Sequence, residues 1–153
     1  MKKRINFNSV QPTAYNAMDA LDQYVGTTTV SKQYQELIRI RASQINGCAY
    51  CVDAHTKDAC DQGETLQRIA LVSAWREAGN IFSDEEKVLF KMTEEITHIS
   101  QQGLTEDTYE KAIASFGETQ TAEIIMIIVT INAWNRIGVA TQLRPARRNT
   151  KNA

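Results

Sequence analysis

Apolar positions in this chain return at three- and four-residue intervals, and no stretch keeps the two-residue alternation of a strand. Short turn signals cut the helical pattern into pieces. The first predicted helix covers about 12–24, with Pro12 in its opening turn and Gly26 and the Thr27-Thr28-Thr29 run beyond its end. A second covers about 31–44 and carries Tyr34, Leu37, Ile38 and Arg41 at helical spacing. Asn46-Gly47 makes a turn before a third helix from Cys48 to near Gly63, and a fourth covers about 64–78. Ser83, followed three residues later by Glu86, is a capping box that opens a fifth helix ending near Ile99. The last two, about 106–116 and 119–143, are separated by Gly117.

Residues 124–131 are apolar on nearly every side, Thr130 excepted, which predicts a helix buried all round and partly covered by a neighbouring subunit. The expected fold is a single all-α domain over 1–153, a bundle of about six or seven helices, ordered over about 5–145 and oligomeric.

Charge narrows the partners. The formal net charge of −1 gives no basis for binding nucleic acid or a membrane surface. Lys2, Lys3 and Arg4 at the start and Arg144, Arg147, Arg148 and Lys151 at the end read as solvated basic tails. The apolar run from Ile124 to Val129 is far below the roughly 20 residues that span a bilayer. The charged start has no apolar segment behind it, so no secretory signal is expected and the reading is cytoplasmic. Structural disulfides are rare in that compartment, so a close cysteine pair there is catalytic or metal-binding.

Such a pair stands in the segment from Glu36 to Cys60, ELIRIRASQINGCAYCVDAHTKDAC. At about 100° per residue, Cys51 lies about 60° around a helix from Cys48, and His55 falls between them. Cys48 is expected in the first turn, where unpaired N–H groups and the helix dipole favour an anion and lower a thiol pKa. One thiolate of a Cys-x-x-Cys pair can attack while the other resolves the product as a disulfide. His55, one turn past Cys51, can serve as base or proton shuttle. Glu36, flanked by Leu37, Ile38 and Ile40, is expected to point inward, where His55 would satisfy its carboxylate. Helix-dipole reasoning favours Cys48 as the more acidic thiol.

Glu36, eleven residues, Cys48-Ala49-Tyr50-Cys51, three residues and His55 resemble the signature of the AhpD-like alkylhydroperoxidases of the carboxymuconolactone decarboxylase superfamily. The resemblance continues through Ser73-Ala74-Trp75-Arg76-Glu77-Ala78 and Ala133-Trp134-Asn135-Arg136-Ile137, from about Tyr15 to Leu143. It implies an all-helical trimer or hexamer that reduces hydroperoxides without a cofactor or metal, recharged by an external dithiol or protein reductant. Cys51 would then be the peroxidatic cysteine, Cys48 the proton donor and resolving thiol, and Glu36 and His55 the proton relay. The best-known AhpD has a histidine where this chain has Tyr50, and a phenol titrating near roughly 10 cannot replace it as a neutral-pH base.

Two other readings compete. Cys48, Cys51, His55 and Cys60 have zinc-ligand chemistry, which would make a zinc-bearing or purely structural helical oligomer. Cys60, however, lies about 120° around the helix from Cys48 and points off the stripe, as an unreactive and partly buried thiol. A decarboxylase-type lyase is the other alternative, although decarboxylases of the superfamily lack the cysteine pair. His98 reads as a surface histidine, Trp75, Trp134 and Tyr34 as core or interface, and Met18, Met92 and Met126 as core filling.

Overall fold

Polar side-chain caps set four of the eight α-helix starts in the computed structural model of the protein, which describes residues 4–147; no strand occurs among them. Asn6 caps α1 (Phe7–Val10) by accepting from the Ser9 N–H. Helix α2 (Pro12–Thr27) opens on its proline. Ser31 caps α3 (Lys32–Asn46) by accepting from Tyr34 N–H, and α4 (Ala49–Asp61) follows a tight turn. Thr65 caps α5 (Leu66–Leu71), which tightens into a 3-10 turn over Val72–Glu77. The expected Ser83–Glu86 capping box is formed in both directions at the start of α6 (Asp84–Thr97). Short α7 (Ile99–Gln102) and long α8 (Glu106–Thr141) complete the chain.

Several expected boundaries shift. Helix α2 runs through Gly26 to Thr27 instead of stopping at Tyr24. The single helix expected over 64–78 divides into α5 and the 3-10 turn, with Ala74 at φ −117° interrupting the helical backbone. The two last helices are joined end to end and break at Gly117, whose φ of +71° and ψ of 174° only glycine adopts readily. Short α1 and α7 lie outside the periodic pattern. Of the basic tail residues, Lys2, Lys3, Arg148 and Lys151 lie outside the described residues.

Helix α3 is central because its apolar side chains feed three packed groups. Ile38 joins Val25, Leu89, Met92, Ile124, Ile127 and Ile128. Leu37 and Ile40 join Trp75, Phe82 and Phe90, whose rings meet edge to face or tilted. Ala42 joins Cys48, Cys51 and Ile131. Within one chain, Ile124, Ile127, Ile128 and Ile131 of the 124–131 run face inward, and Val129 on the opposite face is 43% exposed. Helix α8 is long and apolar enough to cross a membrane by length and composition. Its buried face packs inside the bundle against Ile38, Leu89 and Met92.

Buried amides lock the end of α3 to α8. Asn46 Nδ2 donates to Asn132 Oδ1 and Asn135 Oδ1, both at 2.9 Å, and Asn135 Nδ2 donates to Ser43 Oγ at 2.9 Å. Arg136 also donates to Asn132 Oδ1 at 2.9 Å, and each satisfied amide fixes one relative position of the helices. The turn that starts α4 is thereby held against α8.

Candidate active site

Gly47 ends α3 in the left-handed conformation with φ +66°, and the Cys48 N–H then donates back to the Ser43 carbonyl at 3.0 Å. This closure turns the chain sharply, so α4 runs beside α3. Cys48 is the residue that caps α4, one position before the first helical residue, whereas the sequence placed it inside the first turn. Cys51 is therefore the residue in that turn, among the backbone N–H groups that favour a thiolate.

The two sulfurs are joined in a disulfide with Cα atoms 5.3 Å apart. Both residues are buried, yet Cys51 rather than Cys48 lines a cavity of about 850 Å³ that opens between α2, α4 and the end of α8. His55, one turn further along α4, lines the same cavity. The shared stripe expected from helix phase thus has two members on the cavity and Cys48 behind them.

A chain of charged and polar contacts leads away from His55. Its Nδ1 donates to Glu36 Oε2 at 2.8 Å, and Glu36 itself is buried on α3. Arg39, one turn later on α3, donates to the other carboxylate oxygen at 2.7 Å and reaches Asp22 of α2 at 3.4 Å. Asp22 also accepts from Trp134 Nε1 at 2.7 Å, and the Trp134 ring packs edge-on against Tyr15 at 5.3 Å. Burial pushes the Glu36 carboxyl up. The hydrogen bond and charge of His55, with those of Arg39, outweigh burial and hold it below its ordinary value. The resulting site contains an ionised acid, an oriented imidazole and a sulfur pair.

Each expected site residue is brought to this place: Glu36, His55, Cys48 and Cys51. Cys60 is a free, half-buried thiol packed towards the Phe82–Phe90 group. His98 is exposed at the end of α6. Trp75 is core, as expected, Met92 is fully buried, and Trp134 packs on the Ala42, Cys48, Cys51 and Ile131 group while also lining the cavity. Arg39, Asp22 and Tyr15 were missed. A charged residue three positions after Glu36 is a visible signal, whereas Asp22 and Tyr15 arrive from a helix that the local pattern does not connect to the site. Tyr50, 42% exposed, borders the cavity mouth.

For a metal, the described residues offer one group: Glu36, His55 and Asp58, with ligand atoms within 4.8 Å of one another. The Glu36 carboxylate already accepts from both Arg39 and His55, and the paired sulfurs leave no thiolate there to add to the set.

The chain matches the carboxymuconolactone decarboxylase family over residues 12–95. It is 36% identical over 146 residues to the uncharacterized protein YdfG of Bacillus subtilis (strain 168), covering 95% of this chain and 99% of that one. A protein of unknown function from Agrobacterium tumefaciens, only proposed to be the antioxidant defence protein AhpD, superposes with a TM-score of 0.93 at 35% identity. The match covers 96% of this chain and 100% of that one. An alkylhydroperoxidase AhpD core from Ralstonia eutropha JMP134, itself an uncharacterized peroxidase-related protein, shares the fold with a TM-score of 0.79 at 18% identity, over 91% and 74% of the two chains.

Proposed function

The chain belongs to the carboxymuconolactone decarboxylase family and is AhpD-like, and from that premise we propose that it is a thiol peroxidase working through Cys48 and Cys51. The observation that carries this reading is the placement of Cys51 on the cavity, with its partner sulfur bonded behind it and His55 beside it.

In the reduced protein, His55 takes the thiol proton of Cys51 while Glu36 stabilises the imidazolium. The Cys51 thiolate attacks the terminal oxygen of a hydroperoxide. The O–O bond breaks, and the departing alkoxide takes the proton back from His55 and leaves as an alcohol, or as water from hydrogen peroxide. Cys51 is now a sulfenic acid. The Cys48 sulfur attacks it, the S–S bond forms, the S–O bond breaks, and the hydroxyl leaves as water with the Cys48 proton. An external dithiol reduces the disulfide by exchange, becoming a disulfide itself. With Nδ1 donating to Glu36, Nε2 of the neutral ring is the nitrogen that accepts and returns the proton. Tyr15, Trp134 and Ile137 give the cavity an apolar wall suited to an organic hydroperoxide.

Peroxide consumption with a dithiol reductant, in wild type and in Cys51→Ser, tests the assignment. Turnover in wild type and its loss in the variant are expected; equal activity in the two proteins overturns it.

A further inference from the structure

We propose that Gly138 is a positioning residue for disulfide closure: the space left by its missing side chain is where the Cys48 sulfur sits. The inference rests on reading Cys48 and Cys51 as a redox pair.

Five of the seven glycines hold a positive φ, which accounts for them by backbone conformation. Gly26 and Gly138 do not. A Cβ on Gly26 would meet nothing nearer than Lys32 Nζ at 3.9 Å. A Cβ on Gly138 would lie 3.0 Å from Cys48 Sγ and 3.7 Å from Cys51 Sγ. Ordinary contact between carbon-sized atoms begins at about 3.5 Å, so an added methyl would press on Cys48 and merely touch Cys51. Alanine is the better helix former at such a position, and packing against the sulfur supplies the reason for glycine in α8.

Cys48 has little room to yield. It is buried, its N–H is bonded to Ser43 and its carbonyl accepts from Val52 N–H at 2.9 Å. Its packed neighbours are Ala42, Cys51 and Ile131. In the disulfide each sulfur is pinned to one rotamer, whereas in the dithiol each can turn among staggered positions. A methyl at 138 therefore penalises the disulfide more than the dithiol. The step it hinders is attack of the Cys48 sulfur on the sulfenic sulfur of Cys51, in which S–S forms, S–O breaks and water leaves with the Cys48 proton. Gly138 also lines the cavity beside Cys51, so the disulfide step is read by a redox equilibrium in which no peroxide takes part.

The test equilibrates full-length wild type and Gly138→Ala in oxidised and reduced dithiothreitol, then counts free thiols by alkylation and mass. The disulfide formation constant is expected to fall about tenfold, a potential about 30 mV more oxidising. An unchanged or more reducing potential overturns the proposal. A second measurement covers a poorly folding variant: thermal unfolding of Gly138→Ala with and without Cys48→Ala. The alanine should lower the Tm of the oxidised protein but not that of the Cys48→Ala background; an equal loss in both overturns the proposal, because the methyl would then be striking something other than that sulfur. The potential is measured without peroxide. A protein that shows the shift but consumes no peroxide would therefore refute the peroxidase reading and leave the role of Gly138 standing.

Discussion

Glu36 Oε2 accepts a 2.8 Å hydrogen bond from Nδ1 of His55, which stands nineteen residues later on the next helix. The contact fixes which imidazole nitrogen is left for chemistry, and His55 together with Arg39 on the other carboxylate oxygen keeps the acid ionised against the effect of burial. Three residues from two helices thus hold an ionised carboxylate against an imidazole at the edge of a cavity that also holds Cys51.

Replacing the acid by its amide tests this arrangement. Glu36→Gln keeps the side-chain shape but removes the charge that stabilises an imidazolium. Peroxide turnover is expected to fall by about a hundredfold, the lower end of what a positioned acid–base group contributes. Steady-state kinetics beside circular dichroism checks it; a folded variant with full turnover would remove Glu36 from the relay.

Arg39→Met should move the acid limb of the activity profile. Without the guanidinium, the Glu36 carboxyl rises towards or above its ordinary value of about 4.3. Activity then begins to fail at a higher pH than in wild type, which kcat/KM measured from acid to neutral pH reads directly. An unmoved limb would show that Arg39 does not set the charge of Glu36.

Acid should also unfold the protein. The carboxyls of Glu36, Glu64, Glu94 and Glu95 are each pushed up by burial, but hydrogen bonds and cations bring each to a net value below normal. For Glu94 the partners are Arg76, Trp75 and Arg41; for Glu95 they are the Thr105 N–H, Lys91 and Thr108. A group whose folded pKa is depressed contributes stability that is fully present above its unfolded value. That stability is lost as pH falls through the folded one. The Tm should therefore hold at neutral pH and drop below about pH 4.3. Glu94→Gln should lower the neutral-pH Tm and flatten the acid decline, and an equally steep decline in the variant would contradict the assignment.

Gly117→Ala isolates a backbone effect. No atom lies within 4 Å of a Cβ built there, so only the +71° φ opposes the change. The cost expected is about 1–3 kcal/mol, read as a lower urea midpoint with unchanged slope. A variant as stable as wild type would mean that α8 straightens without loss.

Much of the site was legible because it is built from local spacing. The Cys48–Cys51–His55 stripe follows from helix phase, and the same arithmetic set Cys60 apart. The inward turn of Glu36 was suggested by its apolar flanks and decided only by the spacing of the family resemblance. Residues that depend on distant packing were not legible: Asp22 reaches the site only when α2 docks, and Trp134 looked like core because its spacing suits both roles. The 3-10 turn after α5 also escaped, since tightening at Val72–Glu77 leaves the apolar periodicity intact.

The central claim is that a hydroperoxide drives the Cys48–Cys51 pair from dithiol to disulfide. Intact mass of the reduced protein before and after one equivalent of organic hydroperoxide tests it most directly. A loss of about two mass units, absent in Cys48→Ser and in Cys51→Ser, is the expected result. An unchanged mass in wild type, or the same loss in either variant, would contradict it.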